Sequence, residues 1–134
     1  MCIRDRAKSS KNIKILPFIN NMADAYAISN LVISRSGALT IAEITSCGIP
    51  AILIPFLNAA GDHQTKNAEA LVDAGAAEIL NEKTINHNSL FHSTMNLIHN
   101  KQKLKKMSIA SRKIAYPKAT KTIVDSIITQ TDSK

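Results

Sequence analysis

The order of elements predicts an α/β fold: half of a doubly wound parallel sheet with helices on both faces. Three observations carry that expectation. Short aliphatic runs alternate with segments of helical period from residue 12 to about residue 83. One of those runs, Ala51-Ile-Leu-Ile-Pro55, is apolar throughout, as a central parallel strand covered on both faces should be. Apolar residues make up 45% of the chain, yet only Phe18, Tyr26, Phe56, Phe91 and Tyr116 are aromatic, so the core must be built from Ile, Leu, Val and Ala.

Residues 13–18, Ile-Lys-Ile-Leu-Pro-Phe, read as a first short strand ended by Pro17. Asn20 or Asn21 can cap a short helix through Met22, Ala23, Tyr26 and Ala27. Leu31-Val-Ile-Ser34 is the next strand, broken by Ser36-Gly37. Ala38 to Cys47 is then a helix stopped by Gly48, with Pro50 just beyond. Ala51–Pro55 is the third strand, followed by a loop over Leu57 to Gly61 and a helix from about Asp62 to Ala74, where Gly75 ends it. Ala77-Glu-Ile-Leu80 is a fourth strand, completing β-α-β-α-β-α-β with connections long enough for crossover helices. Beyond residue 83 the pattern turns helical. One helix carries Leu90, Met95, Leu97 and Ile98, a second Leu104, Met107, Ser111 and Ile114, and a last one after Pro117 carries Ile123, Val124, Ile127 and Ile128.

At 134 residues the chain is one domain's worth of material, and charged residues at 20% argue against global disorder. The net charge of +7 is unevenly placed. Residues 1–100 hold eight Lys/Arg and eight Asp/Glu, whereas residues 101–134 hold nine Lys/Arg against two Asp. Such an end suits a solvated face or an anionic membrane surface. Nucleic acid is not expected, because Tyr116 is the lone aromatic among those basic residues. Cys2 and Cys47 do not read as a disulfide framework, and Cys47 reads as apolar filler near a helix end. No run approaches 18 apolar residues, and the start lacks a signal-peptide pattern, so a cytoplasmic protein is expected. His87, His92 and His99 show neither the spacing nor the neighbours of a zinc site, so no metal is expected and no cofactor motif appears.

In an open α/β sheet, ligands bind where strands hand over to helices at their carboxyl ends. Two loops qualify. In Ser34-Arg-Ser-Gly-Ala-Leu-Thr-Ile-Ala-Glu43, Gly37 marks the turn, and the amides of Ala38, Leu39 and Thr40 are orphan donors suited to a diphosphate. Thr40 can add its hydroxyl, and Glu43 can accept from a ribose diol. The same Thr40-x-x-Glu43 spacing also fits a capping box serving only the helix end. In the second loop, His63, Gln64 and Asn67 share one face near a helix start. They suit sugar hydroxyls, or an ordinary polar first turn with Asp62 as its cap.

These strings, together with Phe18-Ile-Asn-Asn-Met-Ala-Asp-Ala-Tyr26, Gly48-Ile-Pro, Ile54-Pro and His63-Gln-x-x-Asn-Ala68, resemble the C-terminal domain of the MurG-type transferases over about residues 10–130. The resemblance implies a GT-B type glycosyltransferase of two Rossmann-like domains. Such enzymes move N-acetylglucosamine from UDP-N-acetylglucosamine to a lipid-linked muramoyl-pentapeptide, with inversion and with no metal required in the pocket. It implies that Ile19 and Met22 meet the uracil, that Ala38, Leu39 and Thr40 meet the diphosphate, that Ile41 and Ala42 line the same helix, and that Ser36 and Gly37 belong to the same UDP-N-acetylglucosamine site. Glu43 would hold the ribose, and His63, Gln64 and Asn67 the N-acetylglucosamine. Arg35 fits the motif without an evident role. Residues 1–8 match nothing in the family and read as an extension or cloning scar, leaving 9–134 as a partial UDP-sugar-binding domain. The acceptor-binding domain and catalytic base are expected outside this sequence, so the chain should not turn over alone. The whole enzyme would sit peripherally on the inner face of the bacterial plasma membrane. The rivals are another UDP-sugar enzyme, such as a different lipid glycosyltransferase or a 2-epimerase, and a non-catalytic basic membrane-binding module.

Overall fold

The computed structural model describes residues 12–58 and 60–116. Its elements are helix α1 (Met22–Ala27), strand β1 (Val32–Ser34), helix α2 (Ala38–Cys47), strand β2 (Ala51–Leu53), helix α3 (His63–Asp73), strand β3 (Ala77–Ile79), helix α4 (His87–Ile98) and helix α5 (Lys101–Lys113). A 3₁₀ turn over Ala60–Asp62 leads into α3.

The three strands form one parallel sheet in the order β1-β2-β3. Val32, Ala51 and Ala77 lie in one row across it, and Ser34, Leu53 and Ile79 close its carboxyl edge. The uniform apolarity of β2 is explained by its position, since all three of its residues are fully buried. Ala51 and Leu53 face one layer, packed with Ile44 and Ile49 from α2 and its exit and with Ala68 and Leu71 of α3. Ile52 points the other way, onto Leu97 of α4 and Met107 of α5. A period of two along β2 thus seals both faces of the sheet.

Helix α2 begins and ends where its flanking glycines say it should. Gly37 is its N-cap and Gly48, at φ +66°, its left-handed C-cap. Helices α1, α4 and α5 are capped by Asn21, Asn86 and Asn100, whose side chains accept amide hydrogens of the first turn.

Three expectations need correction. Residues 13–18 form no strand among the described residues, because strand formation needs a hydrogen-bonded neighbour and this segment has none there. Ile13, Ile15, Leu16 and Phe18 are all exposed. The parallel sheet consequently has three described strands rather than four. Helix α4 starts at His87, where Asn86 and Ser89 make a reciprocal capping box. Cys47 is exposed rather than buried filler, since the last turn of α2 carries it outward as the chain reverses at Gly48. The helix expected after Pro117 lies outside the described residues.

Candidate functional site

The loops that leave the carboxyl edge of the sheet are laced together by polar side chains. After β1, Arg35 donates through Nη1 to the carbonyls of Ile54 and Pro55, each at 3.2 Å, beyond the end of β2. Its Nη2 pairs with Glu82 after β3 at 2.5 Å, and its guanidinium lies 5.5 Å from the Phe56 ring centroid. Glu82 in turn accepts from the Leu57 amide at 3.2 Å. The Arg35 bond, then the Leu57 amide, hold its carboxyl below the usual carboxylate range. Arg35 therefore clamps all three loops.

Next to it, Ser36 is completely buried. Its hydroxyl donates to the Gln64 carbonyl at 2.7 Å, and its own carbonyl accepts from Asn67 Nδ2 at 3.0 Å. Gln64 Oε1 accepts from the Phe56 amide at 3.0 Å. Ser36, Gln64 and Asn67 are thus brought together, fastening the start of α3 to the loop before α2. The side chain of Ser36 is spent on that bond. His63 is not drawn in: it is exposed, with its ring lying over Gly61. Asp62 occupies the cap position of α3 in a left-handed conformation (φ 55°) and makes no side-chain capping bond. Its carboxylate accepts from Thr65 instead.

At the start of α2 the first helical hydrogen bond runs from Ile41 N to Gly37 O at 2.9 Å. The amides of Ala38, Leu39 and Thr40 donate to no acceptor among the described residues, and Ala38 and Leu39 are exposed. The helix dipole adds positive potential at that point. Gly37 has φ −64°, which any residue tolerates, and a Cβ there would meet only Thr40 Oγ1, at 4.0 Å. Nothing among the described residues requires glycine at this position. The capping-box alternative falls, because with Gly37 as N-cap Thr40 is the third helical residue and Glu43 lies a turn further in.

Glu43 instead accepts from the Tyr26 hydroxyl, Oη to Oε2 at 3.0 Å, while among the described residues its Oε1 takes no hydrogen bond. Burial first, then this bond and the carboxylate's charge, push the Tyr26 phenol up to about 12. The contact was invisible in the sequence, since the two residues are 17 positions apart; the one available signal was a lone Tyr in an otherwise small-residue helix. Ile19 and Met22 lie just before and at the start of α1, both partly exposed. Ala38, Ile41, Ala42 and Asn67 line a groove of about 450 Å³ between α2 and α3, reaching Ile114 and Tyr116.

Parallel strands, crossover helices and an unspent helix N-terminus at the carboxyl edge define a Rossmann-like α/β domain. The family described as "Glycosyltransferase family 28 C-terminal domain" matches residues 2–123. The chain belongs to that family.

Among similar proteins are two named UDP-N-acetylglucosamine--N-acetylmuramyl-(pentapeptide) pyrophosphoryl-undecaprenol N-acetylglucosamine transferase. The one from Oenococcus oeni is 43% identical over 87% of this chain and 31% of its own length. The one from Chlorobium phaeobacteroides is 41% identical over 94% of this chain and 35% of its own. The crystal structure of Acinetobacter baumannii MurG superposes with a TM-score of 0.79 at 39% identity, covering 87% of this chain and 35% of that one. The chain therefore spans about a third of the length of the relatives it matches. The GT-B type fold expected from the sequence is the fold of these neighbours.

Proposed function

We propose that this chain is the donor-binding part of an inverting glycosyltransferase. The complete enzyme moves N-acetylglucosamine from UDP-N-acetylglucosamine to the undecaprenyl-pyrophosphoryl muramoyl-pentapeptide named in its relatives. The observation that carries the site assignment is the start of α2. Among the described residues, three amides there meet no acceptor, beside a glycine that neither its dihedral angles nor its neighbours demand. A diphosphate is a ligand that needs both the donors and the room.

In this reading Ile19 and Met22 contact the uracil, Glu43 takes the ribose hydroxyls, and Ala38, Leu39 and Thr40 take the diphosphate. Ile41 and Ala42 wall the same helix, and Ser36 contributes its backbone rather than its hydroxyl. The sugar falls to Gln64, with His63 and Asn67 beside it. The acceptor hydroxyl attacks the anomeric carbon from the face opposite UDP; the carbon–oxygen bond to the diphosphate breaks, and its electron pair leaves with UDP. The positive end of α2 lies where that negative charge develops, so it stabilises the transition state more than the ground state. The acceptor and the base that takes its proton belong to the remaining length of the enzyme.

The protein acts at the cytoplasmic face of the membrane as a peripheral enzyme. No helix among the described residues is long and apolar enough to cross a bilayer. Helix α5 exposes Lys101, Lys105, Lys106 and Lys113 toward solvent, a face suited to anionic headgroups.

Calorimetric titration with UDP tests the donor site. Glu43→Ala should weaken binding about 10- to 100-fold, the equivalent of one or two hydrogen bonds to a charged group. An unchanged dissociation constant would remove the ribose assignment.

A further inference from the structure

We propose that Tyr26 is the positioning residue of the nucleotide site, fixing the Glu43 carboxylate so that the pocket selects a ribose over a deoxyribose. The inference rests on the donor-site reading above and extends it to a residue that touches no ligand. A glutamate side chain has three rotatable bonds, and a free carboxylate on a helix surface samples many orientations. Recognition of a vicinal diol needs one orientation, because two hydroxyls on adjacent ring carbons must donate to the same group. Tyr26 supplies that restraint. Its hydroxyl donates to Oε2 of Glu43 and leaves Oε1 without a hydrogen bond among the described residues. A carboxylate oxygen accepts more than one hydrogen bond, so both oxygens keep capacity for a ligand.

The restraint is rigid because the ring itself is held. Tyr26 is 8% exposed and belongs to the same buried cluster as Ile44, Ile49 and Ala51. A phenol can hold a carboxylate only while protonated. Burial and the neighbouring carboxylate keep it so, with its ionisation pushed up to about 12. Helix α1, which carries Tyr26, also begins at Met22 and follows Ile19. This short helix and the residues leading into it therefore present the residues assigned to the uracil and lock the one assigned to the ribose. The bland alternative is that the bond serves only to dock α1 on α2. That alternative predicts equal losses for every nucleotide.

The test uses the full 134-residue chain titrated with UDP and with 2′,3′-dideoxy-UDP, comparing wild type, Glu43→Gln, Tyr26→Phe and the double variant Tyr26→Phe/Glu43→Gln. Wild type should prefer UDP by about tenfold or more, and Glu43→Gln should lose most of that preference. Tyr26→Phe keeps the buried ring. It should weaken UDP roughly five- to tenfold, leave dideoxy-UDP unchanged, and add little in the double variant. A Tyr26→Phe protein that keeps the wild-type ratio, or weakens both nucleotides alike, overturns the proposal while Glu43→Gln still reports on the donor site. A wild type that binds neither nucleotide, or both equally, sinks the donor reading first and this proposal with it. Should Tyr26→Phe fail to fold, the labelled phenol carbon of Tyr26 in wild type gives the same answer by NMR. Saturating UDP, but not dideoxy-UDP, should move its resonance, and an unmoved resonance overturns the proposal.

Discussion

Arg35 shows how much one exposed side chain can organise. Its five N–H donors let it bond two carbonyls and a carboxylate at once, so a single residue after β1 fixes the exits of β2 and β3. The sequence displayed Arg35 inside a motif but not its partners, which lie 19, 20 and 47 positions away. The Glu82 end of the clamp titrates. Its carboxyl is held below the ordinary value of 4.5 in the folded state. The stabilisation is accordingly present above about 4.5 and lost as pH falls through the lower folded value. The thermal midpoint of Glu82→Gln should lie below that of wild type near pH 7, and the gap should close on acidification towards pH 3. It should also shrink in high salt, because the pair is open to solvent. A gap independent of pH would mean that the charge of the Glu82 carboxylate does not hold the loops together.

At the scale of elements, α2 is bounded by two glycines that serve opposite purposes. Its span was legible from sequence because both ends are written locally, in Gly37 and in Gly48-Ile-Pro50. The segment 13–18 was not, since apolar alternation records what a residue prefers to face and says nothing of which strand it pairs with. Likewise Gln64 and Asn67 could be placed on one helical face, but not the loop they would fasten. At Gly48, φ is +66° and a Cβ would fall 2.3 Å from Arg112 Cγ. Gly48→Ala should therefore cost about 1–2 kcal/mol of stability, from the left-handed backbone and the displaced arginine, with little change in UDP affinity. Gly37→Ala should do the reverse: a cap change of under about 1 kcal/mol, but a UDP affinity lowered about tenfold by a methyl over the diphosphate amides. Urea unfolding and calorimetry on the two variants separate these effects. Equal behaviour at the two ends would deny α2 its division into a binding end and a folding end.

Across the whole molecule, among the described residues, the two faces of the sheet are unequally sealed. One buries nine clustered residues from α1, α2, α3, the strands and the loops at Ile49 and Ala76. The other rests on Ile52, Leu97 and Met107, edged by Leu31, Leu80 and Leu104. The basic end of the sequence belongs partly to this second layer. Helix α5 turns Met107 and Ser111 inward and its lysines outward, and Lys103 pairs with Glu78 of β3 at 2.5 Å. Leu97 is fully buried and joins α4 to that layer. Because Leu97 is fully buried, Leu97→Ala should cost about 2–5 kcal/mol. In urea the midpoint should fall with the slope unchanged, because the same surface is exposed on unfolding. A reduced slope would instead show that α4 and α5 had already come away from the sheet in the variant's native state. A loss below about 1 kcal/mol would mean that this face is closed by packing other than Leu97.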